Sequence, residues 1–231
     1  MLTFNRVTEA IMENKRIVFS EELDRMRHDV LAMSSLVEEG LGKALTALQT
    51  NDKELAKTVR EADAAVNAIQ LKIEDETVML IATQQPVARD LREIFAVLKI
   101  AMNLERAGDY AVHLAKTAIK LSGKASFRAM EHLECMVKTG REMIRASVLA
   151  YLKQDAQAAR DTAAMDDIID GEHKKLSEEM LKLMKTHPGL LKKALRFLHS
   201  SGDLERLGDR ITNICEAVIY MIESKHEELN K

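Results

Sequence analysis

The chain has 231 residues, and 34 Lys and Arg against 37 Asp and Glu leave a formal charge of −3, which supplies no basic face for nucleic acid. Two prolines, three tyrosines, five phenylalanines and no tryptophan, set among many Ala, Leu, Glu, Lys and Met, form a helix-favouring composition that predicts an all-α fold. No apolar run approaches the ~20 residues of a membrane span, and charges throughout residues 1–19 replace a signal-peptide core, so the expectation is a cytoplasmic protein with no direct membrane insertion.

Residues 1–19 stand outside the main pattern as an N-terminal extension, either an extra helix or a frayed arm. Ser20 before Glu21 and Glu22 reads as an N-cap, after which Leu23, Met26, Val30, Met33, Val37, Leu41, Leu45 and Leu48 recur at spacings of three and four. Thr50-Asn51-Asp52 breaks this helix. A second runs to about Thr83 on a stripe of Val59, Ala62, Val66, Ile69, Ile73, Glu76 and Leu80, and Gln85-Pro86 ends it because the residue before proline is pushed out of the α region. The third continues to about Lys120. Leu121-Ser-Gly-Lys124 then divides the chain into halves at 20–123 and 124–231. The second half predicts helices over 127–152, 155–185 and from a break at His187-Pro188-Gly189 to about Ser224. Long helices joined by short turns pack antiparallel with near neighbours, which gives two tandem three-helix bundles. Cys135 and Cys215 fall one in each half inside apolar helical patterns and read as small reduced core residues.

The halves are copies. Leu104-Glu-Arg-Ala-Gly-Asp109 returns as Leu204-Glu-Arg-Leu-Gly-Asp209, and Leu91, Phe95, Leu98, Val112 and Ala118 align with Leu191, Leu195, Leu198, Thr212 and Val218 at the same offset. Glu105 and Asp109, like Glu205 and Asp209, sit one position beyond the apolar stripe of their helix, about 100° round it. Asp63 and Asn67 follow Ala62 and Val66 in the same way, and Asp166 and Asp170 follow Met165 and Ile169. Two acidic rims then face each other across one groove per bundle. The first collects Asp63, Asn67, Glu105, Asp109 and His113, and the second Asp166, Asp170, Glu205, Asp209 and Asn213.

Carboxylates four apart on a helix repel by a few tenths of a kcal/mol, a cost that a metal ion would remove. Hard oxygen donors suit Mg, Mn, Ca or Fe, and the imidazole of His113 tilts the first groove toward a transition metal such as Fe or Zn. The second groove offers four carboxylates against three, since Asn67 brings only a neutral carbonyl, and it is expected to bind hard cations more tightly. The competing reading is an ordinary salt-bridged face in which Arg106 and Arg206 pair with Asp109 and Asp209. Gly108 and Gly208 oppose it, because a mid-helix glycine costs roughly 1 kcal/mol and suggests close approach by a neighbouring helix or a ligand.

Leu-Glu-Arg-x-Gly-Asp in both halves, Asp-x-x-Val-Asn and Asp-x-x-Ile-Asp on the preceding helices, Gln84-Gln-Pro-Val-Ala-Arg-Asp-Leu-Arg92 at the joint and Glu22-Leu23 together resemble the PhoU family of phosphate-transport accessory proteins. The resemblance spans residues 20–224. It implies two three-helix bundles carrying multinuclear metal sites, with Glu105, Asp109, Asp63, Glu205, Asp209, Asp166 and Asp170 among the ligands. It also implies a non-enzymatic adaptor, expected as a homodimer. Such an adaptor links the ATPase subunit of a phosphate ABC transporter to a membrane sensor histidine kinase and keeps phosphate-starvation genes off when phosphate is plentiful. Asn67 and His113 depart from the family pattern as read from the second half.

Other constellations are weaker. Glu223-Ser-Lys-His226 is a single Glu-x-x-His where di-iron chemistry needs two such motifs and two further glutamates, so iron storage or metal-dependent catalysis is the alternative function. His28-Asp29 has no companion histidines, and no nucleophilic triad or Gly-rich phosphate loop is present at a usable spacing. The 13 methionines read as filler for Ala-rich cores.

Overall fold

The computed structural model describes residues 2–121 and 127–230, with side chains from Arg16 to Leu121 and from Arg128 to Asn230. Three helices form the first half: α1 (Leu2–Thr50), α2 (Lys53–Gln84) and α3 (Ala88–Lys120). The second contains α4 (Phe127–Lys153), α5 (Ala156–Ala163), α6 (Asp166–Thr186), a 3-10 turn at Pro188–Leu190 and α7 (Leu191–Glu223). No strand occurs among the described residues. Within the first half α1, α2 and α3 pack on one another, and in the second α4, α6 and α7 do, with α5 against α4 and α7.

The apolar stripes decide this packing. Leu104, Ala107, Ala111, Leu114, Ala118 and Leu121 on α3, and Leu204, Leu207, Ile211, Ile214, Val218 and Met221 on α7, are all buried, as is the whole α1 series from Leu23 to Leu48. Each large aliphatic side chain removed from water contributes about 1.5–3 kcal/mol. Ala62 is the exception to the predicted α2 stripe and is exposed.

Local chemistry sets the joints. Asp52 caps α2 by accepting from the backbone N–H groups of Glu54 and Leu55 at 3.0 and 2.9 Å, and Asn51 ahead of it turns the chain in the left-handed region. Gln85 does the same before Pro86. Around that joint, Arg16, Arg27, Arg89, Glu93 and Gln154 help to line a cavity of about 710 Å³.

Two expectations change. Ser20 caps nothing, because α1 is continuous from Leu2 and its 49 residues run on the order of 75 Å; the N-terminal extension is thus more of α1. The fifth helix predicted over 155–185 is interrupted at Ala164–Met165, between α5 and α6. Asp166 and Asp167 fall in the first turn of α6, where the exposed N–H groups and the helix dipole favour anions, so the acidic pair supports a new start there. The boundary Leu121-Ser-Gly-Lys124 lies, beyond Leu121, outside the described residues.

The two halves also share a core, because α1 packs on α4 and α3 on α7. At that junction α3 and α7 run antiparallel: Ser200 donates to Thr117 at 3.1 Å, the His113 ring meets Asp203 at 3.4 Å, and Arg92 reaches the carbonyl of Met221 at 3.5 Å. Beyond α7 the chain doubles back. Arg160 bridges Glu223 and Glu227 at 2.8 and 2.6 Å, His226 stacks on Tyr220, and the backbone N–H of Leu229 donates to Glu216 at 2.8 Å.

Candidate metal centre

In the second half α6 and α7 place Asp166, Asp170, Glu205 and Asp209 on facing helix flanks. Burial lifts the Asp166 carboxyl from its ordinary 3.8 to about 7, reinforced by Asp170, Asp209 and Glu205 and eased slightly by Thr212. Glu205 is raised by burial and then by Asp209, against a partial offset from His173. Asp209 is raised by burial and then by Asp170. One oxygen of Asp166 accepts weakly from Thr212 Oγ1 at 3.5 Å, while Oδ1 is buried without a hydrogen-bond partner. A buried carboxylate oxygen with no donor is costly.

In the first groove the compensation includes direct ion pairs. Asp63 on α2 is raised by burial and by Asp109 but lowered by Lys116. Glu105 on α3 is raised by burial and by Asp109, and Arg106 pulls it back. Arg106 pairs with Asp109 at 3.2 Å and with Glu105 at 3.5 Å. The salt-bridged reading therefore holds in part for the first half, and Arg206 makes no matching ion pair with Asp209 among the described residues. Asn67 Oδ1 is buried and unpartnered.

His113 and Asn213 stand two four-residue steps beyond Glu105 and Glu205, about 80° round the helix from them. His113 meets Asp203 of α7 at 3.4 Å. Asn213 meets Asn230 of the C-terminal segment at 3.4 Å and lines a cavity of about 470 Å³ shared with Asn103, Glu105, Arg106 and Arg210. The weaker constellations dissolve too: Glu223 is held by Arg160, His226 by Tyr220, and Asp29 by Lys72 at 2.7 Å.

Sequence reading overlooked His173, Ser201, Thr212, Glu74 and Lys116. The signal for His173 was present, since it lies seven residues after Asp166, only about 20° away round the helix. Both cysteines are free, and burial pushes the Cys215 thiol up to about 12.

The glycines distinguish the two grooves. A Cβ on Gly108 would rest in ordinary contact, 3.5 Å from Asp63 and Val66, whereas one on Gly208 would fall 1.9 Å from Asp166 Oδ1. The close approach expected from sequence is thus made by the candidate ligand itself in the second half. Gly108→Ala is expected to be neutral or to stabilise by up to about 1 kcal/mol through helix propensity. Gly208→Ala will turn the Asp166 carboxylate out of its seat, and if the groove holds a metal ion the variant will weaken that binding about 10- to 100-fold, the cost of losing a group that positions a ligand. Melting curves and calorimetric metal titrations of the two variants check both statements.

Donor type fits a hard cation in both grooves, and the orphaned oxygens of Asp166 and Asn67 lack the partner that a cation would supply. Among the described residues no three His, Cys, Asp or Glu side chains are gathered as a cluster that could hold a metal ion.

An all-helical, internally duplicated protein with one acidic groove per half is the class these features define. The family model of the PhoU domain matches twice, over residues 30–118 and 133–218. A phosphate-specific transport system accessory protein PhoU homolog of Clostridium acetobutylicum is 34% identical over 93% of this chain and 99% of its own length. The Escherichia coli accessory protein PhoU is 30% identical over 90% and 86%. The crystal structure of PhoU from Pseudomonas aeruginosa superposes with a TM-score of 0.86 at 34% identity, covering 90% of this chain and all of that one. A phosphate transport system regulatory protein PhoU from Streptococcus pneumoniae gives 0.82 at 31%, covering 91% and 99%. The chain belongs to the PhoU family.

Proposed function

We propose that this protein is a metal-binding regulatory adaptor of phosphate uptake that represses the phosphate-starvation response. Its relatives are accessory proteins of phosphate-specific transport, which supports a regulatory role in phosphate transport over an enzymatic one. The observation that supports the metal-dependent part is the second groove, where burial and then mutual repulsion raise three carboxylates against a partial offset from His173, Arg206 and Arg210 and one buried oxygen has no donor. Asp166, Asp170, Glu205 and Asp209 would hold a divalent or trivalent ion there, with Asp63, Asn67, Glu105 and Asp109 in the first half. The ion supplies positive charge that lets facing helices close on each other. Closure would fix the relation of α6 to α7 and of α2 to α3, and with it the surface offered to partners.

No helix among the described residues is long and apolar enough to cross a membrane. In this reading the adaptor acts on the cytoplasmic side as a homodimer, through the transporter's ATPase subunit and a membrane sensor kinase. In a strain lacking the protein, a phosphate-starvation reporter is expected to be on in rich phosphate, and the wild-type chain supplied in trans should silence it. Unchanged reporter output would overturn the repressor role. Turnover of phosphate esters by the purified, metal-loaded chain would favour the enzymatic alternative.

A further inference from the structure

The joint Gln84-Gln-Pro-Val-Ala-Arg-Asp-Leu-Arg92 contributes to neither acidic groove, yet it walls the cavity of about 710 Å³ between α1 and the start of α3. Arg16 and Arg27 of α1 line that cavity together with Arg89 of α3. A second cavity of about 320 Å³ shares Arg89, Glu93 and Gln154 with the first and adds Arg92. Four guanidinium groups thus border this space against two carboxylates, Asp90 and Glu93.

The carboxylates do not cancel the arginines. Glu93 is buried and is taken by Arg27, whose Nε donates to it at 3.0 Å and whose Nη2 donates as well. The other terminal nitrogen of Arg27 goes to Asp24 at 2.7 Å, so the charge of Arg27 is spent on structure. Arg89 and Arg92 are different. Among the described residues neither makes an ion pair: Arg89 donates to the neutral amide oxygen of Gln154 at 3.3 Å, and Arg92 to the Met221 carbonyl at 3.5 Å. Each keeps donors of its planar fork for an oxyanion, which such a fork can grip bidentately. The start of α3 adds to the same field. Val87 at its N-cap provides no side-chain acceptor for the first-turn N–H groups of this 33-residue helix, and Val87, Arg89 and Asp90 all line the larger cavity.

The turn itself does not require these charges. At the offset of the repeat, Arg89 and Asp90 correspond to Gly189 and Leu190, and the second half turns at Pro188 without them.

We propose that this cleft binds the phosphate group of a small anion, held by Arg16, Arg89 and Arg92 and by the first-turn N–H groups of α3. Asp90 gives it selectivity. A fully ionised sulfate meets only repulsion from that carboxylate, whereas a phosphate that retains a proton can donate its O–H to it. The volume is of the size that holds small organic ligands, and Phe19, Leu23 and Pro86 supply apolar wall, so the same site suits inorganic phosphate or a phosphate ester such as a nucleotide. The inference stands on other residues than the acidic grooves and does not depend on metal binding.

The test is calorimetric titration of the full chain, stripped with chelator so that no metal in a groove can hold the anion. The probes are inorganic phosphate, sulfate, ATP and adenosine. They are applied to wild type, Arg16→Gln, Arg89→Gln and, as a charge control at the other end of α2, Lys57→Gln, with circular dichroism confirming that each variant is folded. The expected result is one site for phosphate or ATP, with sulfate weaker than either. Arg16→Gln and Arg89→Gln each weaken it about tenfold or more, what a charge-assisted bond contributes, and Lys57→Gln leaves it unchanged. ATP tighter than phosphate, with no binding of adenosine, assigns an ester; phosphate tighter than ATP assigns the free ion; both orders support the site. Sulfate bound as tightly as phosphate, or affinity unchanged in both arginine variants, means an adventitious ion only and overturns the proposal, as does the absence of binding by both phosphate and ATP. The metal content of the grooves and the reporter response test the adaptor reading separately from any of these outcomes.

Discussion

If the proposed metal-binding reading holds, replacing Glu205 and Asp209 together by Ala will remove about half of the metal carried by chain purified without chelators, because one of the two proposed sites loses its α7 donors. Helical content should not change, since both side chains lie on the flank of α7 and the buried stripe of Leu204, Leu207 and Ile211 is untouched. The metal-free double variant should even melt higher than the metal-free wild type, as two carboxylates raised by burial and mutual repulsion are gone. With metal present the order reverses, because binding to the folded state alone stabilises in proportion to the logarithm of ligand concentration. Elemental analysis with paired melting curves decides the matter. A metal content equal to that of wild type would show that the second groove is not a site.

The second large effect is on pH. Asp166 is held at about 7 in the folded chain against an ordinary 3.8, so between those values the folded state binds a proton that the unfolded state has lost. Stability of the metal-free chain must therefore fall as pH rises from about 4 through about 7 and level off above. The full shift corresponds to about 4 kcal/mol, but Asp166 is only half-buried, and solvent screening reduces the expected loss to roughly 1–2 kcal/mol. Asp166→Asn should flatten this slope and be more stable than wild type at pH 8, with little difference at pH 4. Saturating metal should abolish the variant's advantage, since the ion takes the place of the proton. Denaturant titrations across that range, with and without Mn²⁺, provide the check. A metal-free wild type whose stability rises over the same interval would contradict the placement of Asp166 among unpaired carboxylates.

Much of the architecture is legible in one dimension. Three-four periodicity on α1, α3 and α7 names the buried residues because an amphipathic helix has only one face to hide, and the repeated Leu-Glu-Arg-x-Gly-Asp announces two equivalent flanks without any coordinates. The joints at Asp52, Pro86 and Pro188 follow from backbone chemistry that acts within a few residues. Asp63, Glu105, Asp109, Asp166, Asp170, Glu205 and Asp209 could be assigned to acidic rims for the same reason: each is fixed by its angle from a stripe on its own helix.

What sequence left undecided depends on how helices meet. His113 meets Asp203 only because α3 and α7 cross antiparallel, a contact between residues about ninety positions apart, and Asn213 meets Asn230 only because the chain doubles back after α7. The break at Ala164–Met165 has no proline or glycine to announce it, and packing against α4 and α7 sets where α5 stops. Inequality between the grooves was expected from a charge count of four against three. Tertiary structure adds differences that no count shows: Arg106 forms ion pairs in the first groove, and Asp166 is pressed against Gly208 in the second. Local periodicity determines which face of each helix is buried. Only the crossing of helices decides which of the remaining polar groups come to share a site.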